Sequence, residues 1–287
     1  MVSPSGPVQA DRLEAGVQVL RAWGLQVVIS EHATAVHPEL EYLAGADAQR
    51  AADLQAAWCD REIAAVLCAR GGYGAHRMVD LLDFDAMRAA GPKILAGYSD
   101  ITVLHQAFAT ELGVVTLHAP MIGAEPFTGD EPSRQMLARA LFEPEPLDPI
   151  SSDRARVLVP GSARGVTLGG CLSLLSADLG GPTAVPSAAG AILVIEDVDE
   201  ERYQIDRMLT QLLRSGWLDG VAAVVAGSWH NCEDGIDELL VDRLGHLGVP
   251  VLTDVGFGHG PRSATLPLGV PAAVEGNRLV LQAPALI

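Results

Sequence analysis

Apolar runs and stretches of helical period alternate through the first half of the chain. Leu25–Ile29, Ala64–Cys68 and Lys93–Ala96 have the length and composition of strands, while Ala46–Asp60, His76–Leu82 and Ile101–Leu112 carry helix-like patterns between them. Asp11–Trp23 adds an amphipathic helix ahead of them: Leu13, Val17, Leu20 and Trp23 fall on one face, and Gly24 stands where a helix stops. Such alternation predicts an α/β fold with a mainly parallel sheet and helices on both of its faces. The residues before Ser3-Pro4-Ser5 leave almost no room for the strand expected there, as a shortened start would.

The pattern changes at Phe142-Glu143-Pro144-Glu145-Pro146-Leu147-Asp148-Pro149, where proline and acid replace periodicity. This predicts a boundary between an N-terminal α/β domain, residues 1–148, and a smaller mixed α/β domain, residues 149–287. In the second, strands are predicted at Ala155–Val159, Ala191–Glu196, Ala222–Ala226 and Arg278–Gln282, with one long helix at Arg202–Ser215. Two domains also suit 287 residues, since a single core rarely grows beyond roughly 250–300.

Composition narrows the function. The chain is 49% hydrophobic, yet charges, prolines or glycines interrupt every stretch before it reaches the roughly 18 apolar residues of a membrane span. Nineteen basic residues against 36 acidic ones give a net charge of −17, which repels nucleic acid and anionic membrane. The acids are dispersed, as on a solubilising surface. Four cysteines, Cys59, Cys68, Cys171 and Cys232, show no CxxC spacing, and no basic-then-apolar leader opens the chain, so a reduced cytosolic compartment is expected. Eight histidines show no HExxH or other ligand spacing, and no metal or other cofactor is expected.

Four segments carry chemistry. Lys93–Thr102 runs as a short strand through Gly97-Tyr98-Ser99-Asp100 into a helix, so Ser99 stands at a tight turn beside free amide N–H groups at a helix start. That is the geometry of a nucleophile elbow without its usual GxSxG; a serine or aspartate there equally serves as a helix cap. Arg70-Gly71-Gly72-Tyr73-Gly74 follows a strand, where glycines admit close approach of a ligand, but no Gly-Lys-Ser/Thr or GxGxxG spacing supports a nucleotide. Ile192–Val198 ends an apolar strand on Glu196-Asp197, and Gly256–Gly260 sets His259 among glycines. A strand-end carboxylate and a loop histidine are usual places for a base and its orienter; each also fits a surface acid or a turn residue. His105 and His118 compete as bases, although their apolar segments favour core roles.

Together these pieces resemble the LD-carboxypeptidase family, peptidase family S66. The resemblance rests on Pro4-Ser5, Arg70-Gly71-Gly72-Tyr73-Gly74, Gly97-Tyr98-Ser99-Asp100, Gly169-Gly170-Cys171-Leu172-Ser173-Leu174-Leu175, Glu196-Asp197-Val198 through Tyr203-Gln204-Ile205-Asp206-Arg207, and Gly258-His259-Gly260. It implies a flavodoxin-like N-terminal domain carrying a nucleophile, Ser99, and a C-terminal domain supplying an orienter, Glu196, and a base, His259. Backbone N–H groups of Asp100 and of Gly71 or Gly72 are the candidates for an oxyanion hole, and Arg70 for a donor to the substrate's terminal carboxylate.

The substrate implied is a small peptide, murein tetrapeptide, which loses its terminal D-alanine across an L,D bond in cell-wall recycling; a homodimer is implied as well. A related branch, the microcin C self-immunity peptidases, cleaves aminoacyl or peptidyl nucleotide analogues with a similar triad. That branch tends to carry an aromatic residue in a loop ahead of Gly-Gly, whereas Ser151–Thr167 here has none. A catalytically silent binding module is the reading from another class. One departure stands out: Cys171 occupies the position where the family commonly has asparagine, which puts any cleft contact from that position in doubt. Nothing nearby in sequence supplies Cys171 with a base of its own.

Overall fold

The computed structural model describes residues 1–285. Three short strands, β1 (Ala65–Leu67), β2 (Ile94–Gly97) and β3 (Thr116–His118), pair in parallel. Val2 bridges Cys68 in parallel beside β1, and Met1 in turn hydrogen-bonds Val28 and Ser30. The spatial sequence 28–30, 1–2, β1, β2, β3 is therefore the flavodoxin-type order, with the segments named by chain position running 2-1-3-4-5. The expected α/β class is borne out. The strand predicted at Leu25–Ile29 does not form a ladder among the described residues: Val28 accepts from the Met1 amine, Leu25 N–H bonds back to the Leu20 carbonyl, and Val28 and Ile29 are exposed.

The second sheet holds seven strands. Those are β4 (Arg156–Val159), β5 (Ala163–Cys171), β6 (Ala191–Val198), β7 (Ala223–His230), β8 (Val251–Thr253), β10 (Pro271–Glu275) and β11 (Arg278–Leu281), in the order β11-β10-β5-β6-β7-β8-β4. Between β8 and β10 the chain leaves this sheet, and β9 (Leu266–Leu268) pairs antiparallel with β3 instead. The sheet of the second half is the larger of the two.

The centre of the second sheet, β5 to β8, is parallel. In β6 seven of eight residues are buried, which is why Ala191–Ile195 reads as an unbroken apolar run rather than an alternating one. The helix Arg202–Arg214 lies over it with Ile205, Met208, Leu209 and Leu212 buried at helical spacing. Burying each of these side chains contributes about 1.5–3 kcal/mol. A single apolar cluster joins the two sheets, running from Leu67, Ala96 and Leu117 to Ile192, Val225 and Leu252. Among the described residues no helix is long and apolar enough to cross a membrane.

The predicted helices at Asp11–Trp23 and Ala46–Asp60 appear as Ala10–Ala22 and Asp47–Cys59. His76–Leu82 is instead one α-helical turn, Ala75–Met78, followed by a 3-10 turn, and Ile101–Leu112 is split among a 3-10 turn at Ser99–Ile101, an α-helix at Thr102–Ala107 and a π-turn at Phe108–Leu112.

Candidate active site

Parallel strands deliver their carboxyl ends to one edge, and the candidate residues sit there. Ser99 follows β2 with φ +64°, a left-handed conformation that costs a non-glycine residue strain and that the surrounding structure has to impose. Tyr98 before it is extended, and the 3-10 turn Ser99–Ile101 opens the helix Thr102–Ala107. The Ser99 hydroxyl lies against Gly71: a Cβ built on that glycine would stand 3.2 Å from Ser99 Oγ. Gly71 thus flanks the serine from the turn after β1, while Gly72 faces Gly6 instead. Asp100 points the other way, fully buried, its Oδ2 accepting from the Ala75 N–H at 2.8 Å. Burial raises the Asp100 carboxyl above its ordinary range, opposed by the nearby Ser5 hydroxyl and the Ala75 amide. Arg70 is exposed, with Nη1 donating to the Pro7 carbonyl at 2.7 Å.

Glu196 ends the apolar part of β6 and is wholly buried. The β6–β7 ladder slips by one residue between Ile195 and Asp197, so β7 bulges opposite Glu196. His259 comes in over this bulge: its Nδ1 lies 2.6 Å from Glu196 Oε2, and its backbone N–H donates to the same oxygen at 2.9 Å. Gly258, at φ +98°, permits the approach, for a Cβ there would fall 2.6 Å from the Glu196 side chain.

The loop is tied on both sides. Ser228 Oγ donates to the His259 carbonyl, Gly258 N–H donates to Ser263 Oγ, and Ser263 N–H donates to Ser133 Oγ from the first half of the chain. The ring of Tyr98, next to Ser99, packs 4.7 Å from that of His259, which brings the two elements together. With Nδ1 committed to Glu196, Nε2 is the His259 nitrogen left for proton exchange.

Electrostatics at the pair favour the ionised carboxylate. Burial by itself would neutralise both groups. The opposing charge prevails: His259, with help from His118, holds the Glu196 carboxyl well below its usual range, and Glu196 raises His259 above the ordinary histidine value. His105 is out of contention as a base. Burial, reinforced by His118, lowers it to about 3, and its Nε2 lies 2.9 Å from the Gly97 carbonyl.

Cys171 ends β5 opposite Glu196 in register, but its thiol is buried against Asp197 Oδ1 and Ser173 Oγ, each at 3.3 Å. Burial, with Asp197 beside it, pushes that thiol well above its ordinary value, the reverse of an activated nucleophile. The Gly169-Gly170 pair ahead of it is packing: Cys171 N–H donates to Thr102 Oγ1 at 2.9 Å, and a Cβ on Gly170 would strike that hydroxyl at 2.4 Å. A cleft of about 930 Å³ opens from His259 between Ser133, Arg154, Trp229 and Arg262. A second cavity, about 390 Å³ and largely apolar, lies behind the helix Thr102–Ala107 and touches none of Ser99, Glu196 and His259. The serines that tie down the His259 loop were not legible as site residues, because their neighbourhoods read as ordinary turns; Tyr98 and Thr102 lie within the Lys93–Thr102 segment, but their contacts with His259 and Cys171 are tertiary.

Residues 1–119 match the family profile described as LD-carboxypeptidase N-terminal domain, and residues 164–274 match that of the LD-carboxypeptidase C-terminal domain. The murein tetrapeptide carboxypeptidase of Pseudomonas aeruginosa is 30% identical over 97% of this chain and 93% of its own. The probable murein peptide carboxypeptidase of Bacillus subtilis is 37% identical over 96% and 88%. Among solved structures, muramoyltetrapeptide carboxypeptidase from Oxalobacter formigenes superposes with a TM-score of 0.83 at 28% identity, covering 98% of this chain and 96% of its own. The microcin C7 self-immunity protein MccF reaches a TM-score of 0.87 at 22% identity over 99% and 95%, a likeness of fold. With the N-terminal and C-terminal profiles both matched, in order along the sequence, the chain belongs to the LD-carboxypeptidase family, peptidase family S66.

Proposed function

We propose that this peptidase is a serine-type LD-carboxypeptidase that releases the terminal D-alanine of a murein-derived tetrapeptide, in the cytosol, as a step of cell-wall recycling. The observation that carries the reading is the Glu196–His259 bond at 2.6 Å, with the ring of Tyr98, next to Ser99 in its left-handed turn, packed 4.7 Å from that of His259.

In this reading His259 Nε2 takes the Ser99 proton as Oγ attacks the carbonyl carbon of the L,D bond. The oxyanion forms against the backbone N–H groups of Asp100 and of Gly71 or Gly72. His259 passes its proton to the departing D-alanine amine, and water then hydrolyses the acyl-enzyme by the same steps in reverse. Glu196 fixes the ring's tautomer and offsets the imidazolium charge. Arg70, beside Gly71 and exposed, offers its remaining N–H groups to the substrate's terminal carboxylate.

The deciding experiment is D-alanine release from an L,D-linked tetrapeptide. Ser99→Ala should abolish turnover while shifting stability by no more than about 1 kcal/mol, the worth of a cap. If that variant keeps a tenth of the wild-type rate, Ser99 is not the nucleophile. Chelators should leave the rate unchanged, and loss in EDTA restored by zinc would count against the serine mechanism. An aminoacyl sulfamoyl adenylate, assayed in parallel, is expected to turn over far more slowly than the peptide; the opposite preference would move the chain to the immunity branch.

A further inference from the structure

The two oxygens of Glu196 differ in their partners. Oε2 accepts from both His259 N–H groups, at 2.6 and 2.9 Å, whereas Oε1 is buried without a hydrogen-bond partner among the described residues. The group facing Oε1 is His118, whose Nε2 lies 3.7 Å away. His118 is itself wholly buried, and neither of its ring nitrogens has a hydrogen-bond partner among the described residues. A buried acceptor and a buried donor ring, both otherwise unsatisfied, thus confront each other across a gap that a shift of about 1 Å would close to hydrogen-bond length.

The setting of His118 leaves its ring few alternatives. Its backbone is fixed by pairing with Gly97 of β2 on one side and Leu266 of β9 on the other. The ring stands edge-on to Phe257 at 5.8 Å and tilted against Tyr98 at 5.6 Å, and His105 lies 6.5 Å away. His105 cannot supply Oε1 with a proton, because its own Nε2 is engaged with the Gly97 carbonyl. The titratable groups placed against His118 among the described residues are Glu196, Tyr98 and His105, and of these Glu196 alone is an anion.

We propose that His118 is a positioning residue for Glu196: its Nε2–H closes on Oε1 and holds the carboxylate plane, so that Oε2 stays aimed at His259. The proposal rests on the reading of Glu196 and His259 as orienter and base. It extends that reading from three residues to four, with His118 acting only through the carboxylate and touching no substrate.

Three variants and two readouts test it. His118→Phe keeps a planar ring against Phe257 and Tyr98 but removes the donor. His118→Gln places a side-chain N–H near the Nε2 position, whereas His118→Asn reaches only as far as Nδ1. The first readout is the split between kcat and KM on the tetrapeptide. His118→Phe should lower kcat roughly ten- to a hundredfold, as expected for loss of a hydrogen bond to a charged group, and leave KM within about twofold. Gln should recover most of the loss and Asn little.

The second readout is the far-downfield proton resonance of the His259 Nδ1–H in the Glu196 bond, observed without substrate. It should shift or broaden in His118→Phe and return in His118→Gln. An unmoved resonance with kcat within twofold of wild type would overturn the proposal, as would equal rates for Gln and Asn, a comparison that survives if His118→Phe fails to fold. Because the resonance is read without turnover, a wild-type protein inactive on the tetrapeptide would sink the substrate reading while leaving this test intact.

Discussion

On one side of β6 the Glu196 carboxylate meets two histidines; on the other, its neighbour Asp197 meets the backbone N–H groups of Ser173 and Val198, the Cys171 thiol and the Ser173 hydroxyl. Both are buried, at 0% and 2% exposure, so desolvation opposes ionisation in each. The outcomes diverge. Glu196 is held well below the usual carboxylate range by His259 and His118, whereas burial and the neighbouring Glu196 charge push Asp197 up to about 6 despite its amide donors. Neutral donors satisfy lone pairs but bring no compensating charge, and alternation along an extended strand assigns one residue to each environment. The strand end therefore offers an anion on its His259 face and, on the Cys171 face, a carboxyl pushed up to about 6.

The sharpest way to break this comparison is to neutralise each acid in turn. On the reading of Glu196 as orienter, Glu196→Gln should cut kcat by roughly three to four orders of magnitude, because tautomer control and charge are lost together, while Asp197→Asn should stay within about threefold of wild type. Hydrolysis at saturating peptide measures both, and a crippled Asp197 variant would transfer the orienting role to the other face. Next in size is the pH profile. On the reading of His259 as the base it must be neutral to accept a proton, and Glu196 raises it, so kcat/KM should fall on acidification with a midpoint above the ordinary histidine value of 6.5. In whatever activity Glu196→Gln retains, that midpoint should move down, since burial then acts on His259 against only the smaller influence of Asp197 and Asp199.

A smaller effect concerns stability. The folded-state value for Asp197 is raised from 3.8 to about 6, so its contribution to stability is fully present below the unfolded value and is lost as pH rises between about 4 and 6. Glu196 has the opposite sign: its lowered value contributes stability above the unfolded carboxylate range that is lost on acidification below about 4.5. Urea unfolding across this range should show wild type losing up to about 3 kcal/mol relative to Asp197→Asn as pH climbs from 4 to 7. A flat difference would mean that Asp197 is ionised throughout. The smallest effect is expected from Cys171→Asn. An amide N–H on Asp197 in place of the thiol should shrink that pH dependence and leave kcat within about twofold, because position 171 faces Asp197 and not His259.

Strand ends and their acids were legible in the sequence because β6 is apolar through five consecutive residues before Glu196, and a buried parallel strand has no polar face to disguise it. The turn carrying Ser99 was legible for a related reason: a strand, a glycine and a helix start lie within ten residues. Other elements were hidden. β5, Ala163–Cys171, contains three glycines that depress its strand character, and its right to extend comes from Val194 and Thr102, which lie far away in sequence. Leu25–Ile29 shows the converse, a strand-like composition that forms no ladder among the described residues and meets Met1 only through Val28 and Ser30. His118 was read as core, and its packing agrees; its distance to Glu196 is a tertiary fact that no local pattern encodes. The placement of β9 in the first sheet is of the same kind.

The placement of β9 also orders events in time. β3, with His118 at its end, is synthesised long before Leu266–Leu268, and until those residues dock, its outer edge has no ladder partner. The loop bearing His259 lies just ahead of β9 and hangs on Ser133 and Ser228, so it is anchored only when the two halves have met. Domains of a growing chain fold from the amino terminus onward. On the triad reading, a nascent chain would thus carry its serine early and remain proteolytically mute until its last strands close, and a truncated product would be a sticky fragment rather than an unrestrained peptidase.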